Sequence, residues 1–233
     1  MKWMLIVCGA LLSVVVARAE PSMEPPVRPW YASEIEAFVK ADKAHPPEPC
    51  SILFTGSSSV RLWDTLANDM APANVINRGF GGSTIADVND NFDRIVSPYR
   101  PRAIFFYAGE NDLSSGKSAA QVFTDFQRFM ELKSGALGNT PVYFVSLKPS
   151  KLRFDQKARQ SEVNVLVKRL ARSRRDLHYI DVVTAMLDKG RLRDIYRDDG
   201  LHMTQEGYRI WTRLIRPPVL SETRRRTAFC PGL

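Results

Sequence analysis

Two patterns of apolar residues alternate along the chain, and together they predict a regular succession of strands and helices. Short, nearly continuous apolar runs, which are typical of strands covered on both faces, occur at 52–56, 74–77, 102–108, 141–147 and 177–181. Apolar residues at spacings of three or four, which indicate amphipathic helices, occur at 31–43, 84–96, 118–133, 155–172, 182–189 and 204–215. This alternation of strand, loop and helix predicts an α/β fold, with a parallel sheet between two layers of helices.

The turn after the first strand carries three adjacent serines, in the segment 51–63 (SILFTGSSSVRLW). A helical pattern resumes at Val60, so the serines lie where a strand passes into a helix. Free N–H groups point outward at the start of a helix and can bind an anion. A serine there is either a helix cap or a nucleophile beside donors for an oxyanion, and the turn alone does not decide between the two.

Three other loops are expected at the same edge of the sheet, because ligands of parallel α/β sheets bind where the carboxyl ends of the strands meet. Their sequences are 79–83 (GFGGS), 109–112 (GEND) and 199–202 (DGLH). Taken singly, the glycines are typical of turns, the asparagine of a turn bonded by its own side chain, and the acid and imidazole of a structural pair. Taken together, they supply a hydroxyl, backbone N–H groups, an amide and a base, which are the parts of an acyl-transfer site.

These four segments resemble, in order and spacing, the four motif blocks of the SGNH/GDSL hydrolases, a family of esterases and lipases. The first block is similar to 54–59 (FTGSSS), the second to 77–82 (NRGFGG), the third to 109–112 and the last to 199–202. The resemblance extends over most of the chain. It implies a flavodoxin-like, three-layer α/β/α fold with a five-stranded parallel sheet.

The same resemblance implies a role for each site residue. Ser58, two positions after the glycine of the first block, corresponds to the nucleophile. The D-x-x-H spacing of the last block makes Asp199 the orienting acid and His202 the base. Gly82 and Asn111 correspond to donors of the oxyanion hole, together with the backbone N–H of Ser58. No metal or organic cofactor is implied.

One residue departs from the pattern of the family, since Ser57 stands where many members have aspartate. A serine at this position can still bond the backbone of the turn. It also creates the run of three serines, so Ser57 and Ser59 stay open as alternatives to Ser58 when the nucleophile is judged from the sequence alone.

The composition is that of a globular protein, with 44% hydrophobic and 25% charged residues in a chain of 233, and a single main domain is expected. The formal net charge is +8, and the basic residues lie on predicted helices and in a run at 224–226. No aromatic residues are interleaved with them and no nucleic-acid motif occurs, so nucleic acid is not an expected partner.

The start of the chain has the pattern of a secretory signal, with Lys2, an apolar run at 3–16 and an A-x-A cleavage site at 17–19. The run is shorter than the roughly 20 apolar residues of a membrane span. We therefore expect a secreted or periplasmic protein without a stable membrane anchor. The predicted divisions are a signal at 1–19, a proline-rich arm with one helix at 20–49, a hydrolase domain at 50–220 and a basic tail at 221–233.

Removal of this signal would leave two cysteines, Cys50 and Cys230, in an oxidising compartment. Cys50 precedes the first strand, and Cys230 follows the last helix. In a parallel α/β layer that helix runs back toward the edge where the strands begin. Both cysteines would then lie at the edge opposite the site, and we expect a disulfide between them.

The expected function is ester hydrolysis through an acyl-enzyme on a small-molecule or carbohydrate ester. A short acyl group is favoured, such as an O-acetyl group on a carbohydrate, because no long apolar insertion has the pattern of a lid or an acyl tunnel. Two alternatives stay open. The first is hydrolysis of lysophospholipids or thioesters with longer acyl chains, and the second is a binding module that keeps the fold without catalysis.

Overall fold

The computed structural model describes residues 29–226 and 230. Its central sheet has five parallel strands in the order β2-β1-β3-β4-β5. They are β1 (Ile52–Gly56), β2 (Val75–Gly79), β3 (Ile104–Tyr107), β4 (Val142–Val145) and β5 (Leu177–Ile180). The predicted α/β fold with a five-stranded parallel sheet is confirmed. The predicted signal at 1–19 lies outside the described residues.

Helices cover both faces of this sheet. They are α1 (Ala32–Ala44), α2 (Ser58–Arg61), α3 (Leu66–Met70), α4 (Ile85–Asp90), α5 (Phe92–Ile95), α6 (Glu110–Ser114), α7 (Ala119–Leu137), α8 (Lys157–Ser173), α9 (Val183–Met186) and α10 (Gln205–Thr223). Helices α4, α7 and α8 pack against one another in one layer, and α3, α9 and α10 in the other. Within residues 29–226, every helix is too short or too polar to cross a bilayer.

Aromatic side chains fill the core on both faces of the sheet. Phe54 stacks on Phe105 with ring centroids 4.9 Å apart, and Phe105 stacks on Tyr143 at 4.6 Å. The next residue of β3, Phe106, points the opposite way and lies 4.4 Å from Phe129 of α7. Because successive side chains of a strand alternate between faces, both faces of β3 are buried, as its continuous apolar sequence predicts.

The helix predicted at 84–96 is two short helices, because the α-helical ladder is interrupted at Asn91. The Asn91 side chain donates to the carbonyl of Asp87 at 2.9 Å, and Asn91 is the residue that ends α4 and begins α5. Asparagine side chains compete with the backbone for such bonds. Apolar spacing alone does not reveal this interruption, since it continues through both helices.

The last helix is longer than predicted. It continues from the expected end at 215 through Pro217 and Pro218 to Thr223, so the predicted division between domain and tail at 220 falls inside α10. The cost of two prolines is offset by packing, because Val219 is buried and the Glu222 carboxylate accepts a hydrogen bond from the Tyr143 hydroxyl at 2.8 Å.

The prediction of a helix at 182–189 is wrong in its second half. Helix α9 ends at Met186, and a two-stranded antiparallel ribbon follows, formed by β6 (Leu187–Asp188) and β7 (Arg191–Leu192). Lys189 and Gly190 connect its strands with φ angles of 48° and 80°. Positive φ angles at both central residues are those of a tight hairpin turn.

A disulfide joins Cys50 to Cys230, with their Cα atoms 5.6 Å apart. Cys50 directly precedes β1, so the bond lies at the edge of the sheet where the strands begin. The expected pairing is confirmed. The disulfide ties the end of the chain beyond α10 to the start of the central strand.

Candidate active site

The turn after β1 is built by a glycine and by backbone hydrogen bonds. Gly56 has a φ of +127°, and a Cβ atom at this position would lie 1.9 Å from the Tyr107 carbonyl oxygen, so no other residue fits. The N–H of Ser57 donates to the same carbonyl at 2.8 Å. Ser57 is the N-cap residue of α2 but makes no side-chain capping bond. The backbone therefore holds the turn and sets Ser58 at the first position of α2.

Ser58, His202 and Asp199 form a hydrogen-bonded series. His202 Nε2 lies 2.9 Å from Ser58 Oγ, and His202 Nδ1 lies 2.6 Å from Asp199 Oδ2. Of the three adjacent serines, Ser57 and Ser59 are each only 3% exposed, whereas Ser58 is half-buried. Only the middle serine of the run thus combines access from solvent with a bond to the imidazole.

Hydrogen bonds keep the Asp199 carboxylate charged. Its Oδ1 accepts the backbone N–H groups of Leu201 at 2.8 Å and His202 at 2.9 Å. Burial acts to raise the pKa of Asp199, but bonds from the His202 side chain and from the two N–H groups outweigh it and lower the pKa to about 2. A carboxylate only accepts, so the imidazole proton lies on Nδ1, and Nε2 is left to accept from the Ser58 hydroxyl.

The loop after β2 is tied to the nucleophile turn. The N–H of Phe80 and the hydroxyl of Ser83 both donate to the Gly56 carbonyl, each at 3.0 Å. Between them, Gly82 has a φ of +61°, in the left-handed region that favours glycine. Gly82 therefore lies in a loop whose two flanking residues bond the strand end that carries Ser58.

The amide of Asn111 is bound on both sides. Its Nδ2 donates to the Ser83 carbonyl at 2.9 Å, and its Oδ1 accepts from Arg153 Nη1 at 2.9 Å. The neighbouring carboxylate of Asp112, which is fully buried, accepts the N–H of Ile85 at 3.1 Å. The third block is thus fastened to the loop and helix that follow Gly82.

A buried ion pair supports the loop that carries His202. Lys148 Nζ donates to the Leu201 carbonyl at 3.1 Å and lies 3.5 Å from Glu110 Oε2, and both side chains are buried. The Tyr107 hydroxyl lies in the same buried region, where burial and then the Glu110 carboxylate raise its pKa well above the ordinary value. Lys148 therefore connects the third block to the last one.

The structure brings all five predicted site residues to the carboxyl edge of the sheet. Ser58, Asp199 and His202 are in direct contact. Gly82 and Asn111 are linked to each other through Ser83, which follows Gly82 and accepts from Asn111.

Sequence analysis did not identify Arg153 or Lys148. Both follow β4 in the segment 146–153 (SLKPSKLR), and their position just after a buried strand was the only available signal. A basic residue there is ordinarily solvated, and its burial or its partner depends on loops distant in sequence.

Within residues 29–226 and 230, no group of three or more His, Cys, Asp or Glu side chains is arranged to hold a metal ion. A cavity of about 720 Å³ lies away from the five site residues, between the arm and the turn at Ser97–Tyr99, and its lining includes Val39, Pro47 and Ile76. None of the site residues lines it.

A serine, a histidine and an aspartate bonded in series at the carboxyl edge of a parallel sheet have the arrangement of a serine hydrolase. Residues 50–210 match the model of the GDSL-like lipase/acylhydrolase family. The chain belongs to this family, and the resemblance seen in the sequence is confirmed. The family indicates ester hydrolase activity.

Solved structures share the fold at low sequence identity. A protein described as an acylhydrolase, from Bacteroides fragilis, has a TM-score of 0.72 and 20% identity over 83% of this chain and 98% of its own. A GDSL-like lipase from Bacteroides thetaiotaomicron has a TM-score of 0.69 and 20% identity, over 81% and 98%. An acetyl-xylooligosaccharide esterase from Geobacillus has a TM-score of 0.62 and 14% identity, over 72% and 93%. No curated protein matches the sequence.

Proposed function

We propose that the protein is a serine ester hydrolase that acts through an acyl-enzyme. The observation that carries the proposal is the series from Ser58 Oγ to His202 Nε2 at 2.9 Å and from His202 Nδ1 to Asp199 at 2.6 Å. A serine hydroxyl is a weak nucleophile until a neighbouring base removes its proton. In this site His202 is that base, and Asp199 orients the imidazole and stabilises the imidazolium.

The first half of the reaction forms the acyl-enzyme. Ser58 Oγ attacks the ester carbonyl carbon while its proton moves to His202 Nε2. The tetrahedral intermediate then expels the alcohol, which takes that proton as it leaves. In the second half, water gives a proton to His202 and attacks the acyl carbon, and collapse of the intermediate returns the proton to Ser58 and releases the acid.

The developing oxyanion requires donors that are already in place. We assign these to the backbone N–H groups of Ser58 and Gly82 and to the Asn111 amide. The bonds from Asn111 to Ser83 and from Arg153 to Asn111 support this assignment, because they hold the amide rigidly beside the Gly82 loop. Removal of one such donor costs about 10²- to 10³-fold in kcat in a serine hydrolase with this chemistry.

The substrate we propose is a short acyl ester, with an O-acetylated carbohydrate as the favoured class. Structures that share the fold include the acetyl-xylooligosaccharide esterase and a carbohydrate esterase family 3 protein from Talaromyces cellulolyticus, which is 16% identical with a TM-score of 0.61 over 73% of this chain and 96% of its own. The cavity of about 720 Å³ lies away from the site residues, so it does not supply a tunnel for a long acyl chain there.

We further propose that the protein acts in the periplasm or outside the cell. The signal pattern at 1–19 and the disulfide between Cys50 and Cys230 support this location, since structural disulfides persist in oxidising compartments.

Hydrolysis of p-nitrophenyl esters from acetate to octanoate tests the proposed activity. We expect the highest kcat/KM with acetate and a loss of at least about 10⁴-fold in kcat in Ser58→Ala and in His202→Ala. Ser57→Ala and Ser59→Ala are matched controls within the same run of serines and should retain most of the activity. Full activity in Ser58→Ala would refute the nucleophile, and inactivity of the wild type on every chain length would favour a binding module.

A further inference from the structure

Trp30 lies directly beside the Gly82 loop, although it precedes the part of the chain that matches the family. A Cβ atom built on Gly82 would be 2.9 Å from Trp30 Cη2 and 3.0 Å from Cζ2, so the edge of the indole lies over this glycine. The Trp30 side chain is nevertheless 63% exposed. A large aromatic surface thus faces solvent next to a residue that we assign to the oxyanion hole.

The position of this indole is fixed by contacts from both sides. Tyr31 packs edge-on against Trp30 at 5.4 Å between ring centroids, and Tyr31 itself is buried, 5.1 Å from Phe80. One turn later, Glu34 accepts the N–H of Gly81 at 3.3 Å. The start of α1 is therefore held on the loop after β2, and Trp30 is presented there by a packed helix.

Other exposed apolar side chains also surround the site. The large hydrophobic residues exposed in the described part of the chain are Trp30, Leu152, Phe154 and Val165. Leu152 lies against Gly200 in the loop that carries His202, and Phe154 follows the arginine that binds Asn111. Val165 lies on α8, away from these loops. Exposed apolar surface next to a site of this kind is typical of binding sites rather than of chance.

We propose that Trp30 is a binding platform for a sugar ring in the alcohol part of the substrate, which rests on the proposed function above. An acetyl group is small and reacts at the half-buried Ser58, whereas the alcohol of a glycan ester is large and extends into solvent. A platform that is 63% exposed fits the extended part of the substrate and is too open to enclose a short acyl group. The apolar face of a sugar ring covers an indole and excludes water from it.

Charged groups beside the indole favour a sugar over a lipid chain. Glu34 pairs with Arg61 at 2.8 Å, and an Arg61 nitrogen lies 3.0 Å from the Cβ position of Gly81, next to the glycine that Trp30 covers. The Arg61 side chain is 48% exposed. A carboxylate and a guanidinium can bond sugar hydroxyls, while an acyl chain laid over them would remove water from both charges at a cost.

A kinetic comparison of two acetyl esters tests the platform. Acetylated xylo-oligosaccharide offers sugar rings, and ethyl acetate has no ring to stack. We expect Trp30→Ala to lower kcat/KM for the oligosaccharide about tenfold more than for ethyl acetate, mainly through KM, as for the loss of one aromatic contact. Trp30→Phe keeps an aromatic face and should lose less. Val165→Ala removes exposed apolar surface of α8 and should leave the ratio of the two substrates unchanged.

A binding measurement gives a readout that does not depend on hydrolysis. Trp63 and Trp211 are buried, so Trp30 is the tryptophan of the described residues that acrylamide can reach. In Ser58→Ala, acetylated xylo-oligosaccharide should protect part of the fluorescence from quenching. The same titration in Ser58→Ala/Trp30→Phe isolates that part, because it should show no protection.

The outcomes separate this inference from the proposed function. Cleavage of the oligosaccharide with an unchanged substrate ratio in Trp30→Ala would overturn the platform and leave the esterase in place. Failure of the wild type to cleave or bind any glycan ester, with p-nitrophenyl acetate still hydrolysed, would overturn both the carbohydrate substrate and the platform. Protection of Trp30 by phosphatidylglycerol vesicles but not by oligosaccharide would replace the sugar with a lipid surface.

Discussion

Arg153 holds the amide of Asn111 in one orientation, with its guanidinium Nη1 2.9 Å from Asn111 Oδ1. A guanidinium only donates, so this bond identifies the oxygen side of the amide and directs Nδ2 toward Ser83. The catalytic contribution of Asn111 therefore depends on a residue that comes from a different loop.

Replacement of Arg153 by Met should lower kcat by about 10- to 100-fold with little change in KM, because an amide free to rotate spends less time with Nδ2 at the oxyanion. Steady-state kinetics with p-nitrophenyl acetate measure both constants. Asn111→Ala should lose about 10²- to 10³-fold, and the double variant should lose no more than Asn111→Ala alone, since Arg153 acts through Asn111. Additive losses would contradict this dependence.

Replacement of Lys148 by Met should reduce both stability and activity. It leaves the buried Glu110 carboxylate without its cation, and loss of one partner of a buried pair costs about 3–5 kcal/mol of unfolding free energy. It also releases the Leu201 carbonyl, which directly precedes His202. Urea denaturation and kcat at a temperature where the variant is folded measure the two effects.

The matched control is the double variant Lys148→Met/Glu110→Gln, which removes both charges. Its unfolding free energy should recover part of the loss, since no unpaired charge is left buried. Its kcat should stay low, because the bond to Leu201 is still missing. Recovery of kcat together with stability would show that Lys148 has only a structural role.

Asp176 should make stability depend on pH in the acid range. Burial acts to raise its pKa, but hydrogen bonds from Arg174 and Lys133 outweigh it and hold the pKa well below the usual range. A lowered pKa in the folded state stabilises the protein above the usual value, near 3.9, and this contribution is lost as pH falls below it. Asp176→Asn should therefore be destabilised at pH 7 by about 3 kcal/mol, and by less at pH 3.

Urea denaturation of both proteins at the two pH values measures this difference. Lys133→Met is the matched control, because the carboxylate of Asp176 keeps its two bonds from Arg174 when the buried ammonium is removed. It should cost less than Asp176→Asn. An equal loss of stability in Asp176→Asn at pH 3 and pH 7 would contradict the assigned linkage.

Removal of the disulfide should lower the free energy of unfolding by about 3–5 kcal/mol, because the bond closes a long loop in the unfolded chain. The sequence separation is 180 residues. Cys50→Ser/Cys230→Ser tests this in urea, and kcat should be retained where the variant is folded, since the bond lies opposite Ser58. Two reactive thiols in the native protein, titrated without reductant, would contradict the pairing.

The fold and the five site residues could be predicted because each depends on a local pattern. Apolar runs mark the five strands, and the turn around Ser58 is identified by the glycine and serines at the end of one of them. The interruption of a helix at Asn91 and the continuation of α10 through two prolines could not, because side-chain bonds and packing override the apolar spacing there.

The supporting residues of the site could not be predicted for a different reason. Lys148 bonds a carbonyl 53 positions away, and Arg153 bonds an amide 42 positions away. Trp30 lies in the arm, and nothing in the sequence indicated that this arm packs on the Gly82 loop. Such contacts depend on which loops meet at the sheet edge, and short motifs carry no record of that.

The ring of chain closed by Cys50 and Cys230 also has a consequence for damage. A protease that cuts once in any exposed loop between the two cysteines produces two pieces that are still covalently joined, and α10 cannot diffuse away from the sheet. The pieces remain at a high effective concentration and can pack together again. Outside a cell, where we propose that the protein acts, a nicked molecule can thus keep Ser58 and His202 within reach of each other.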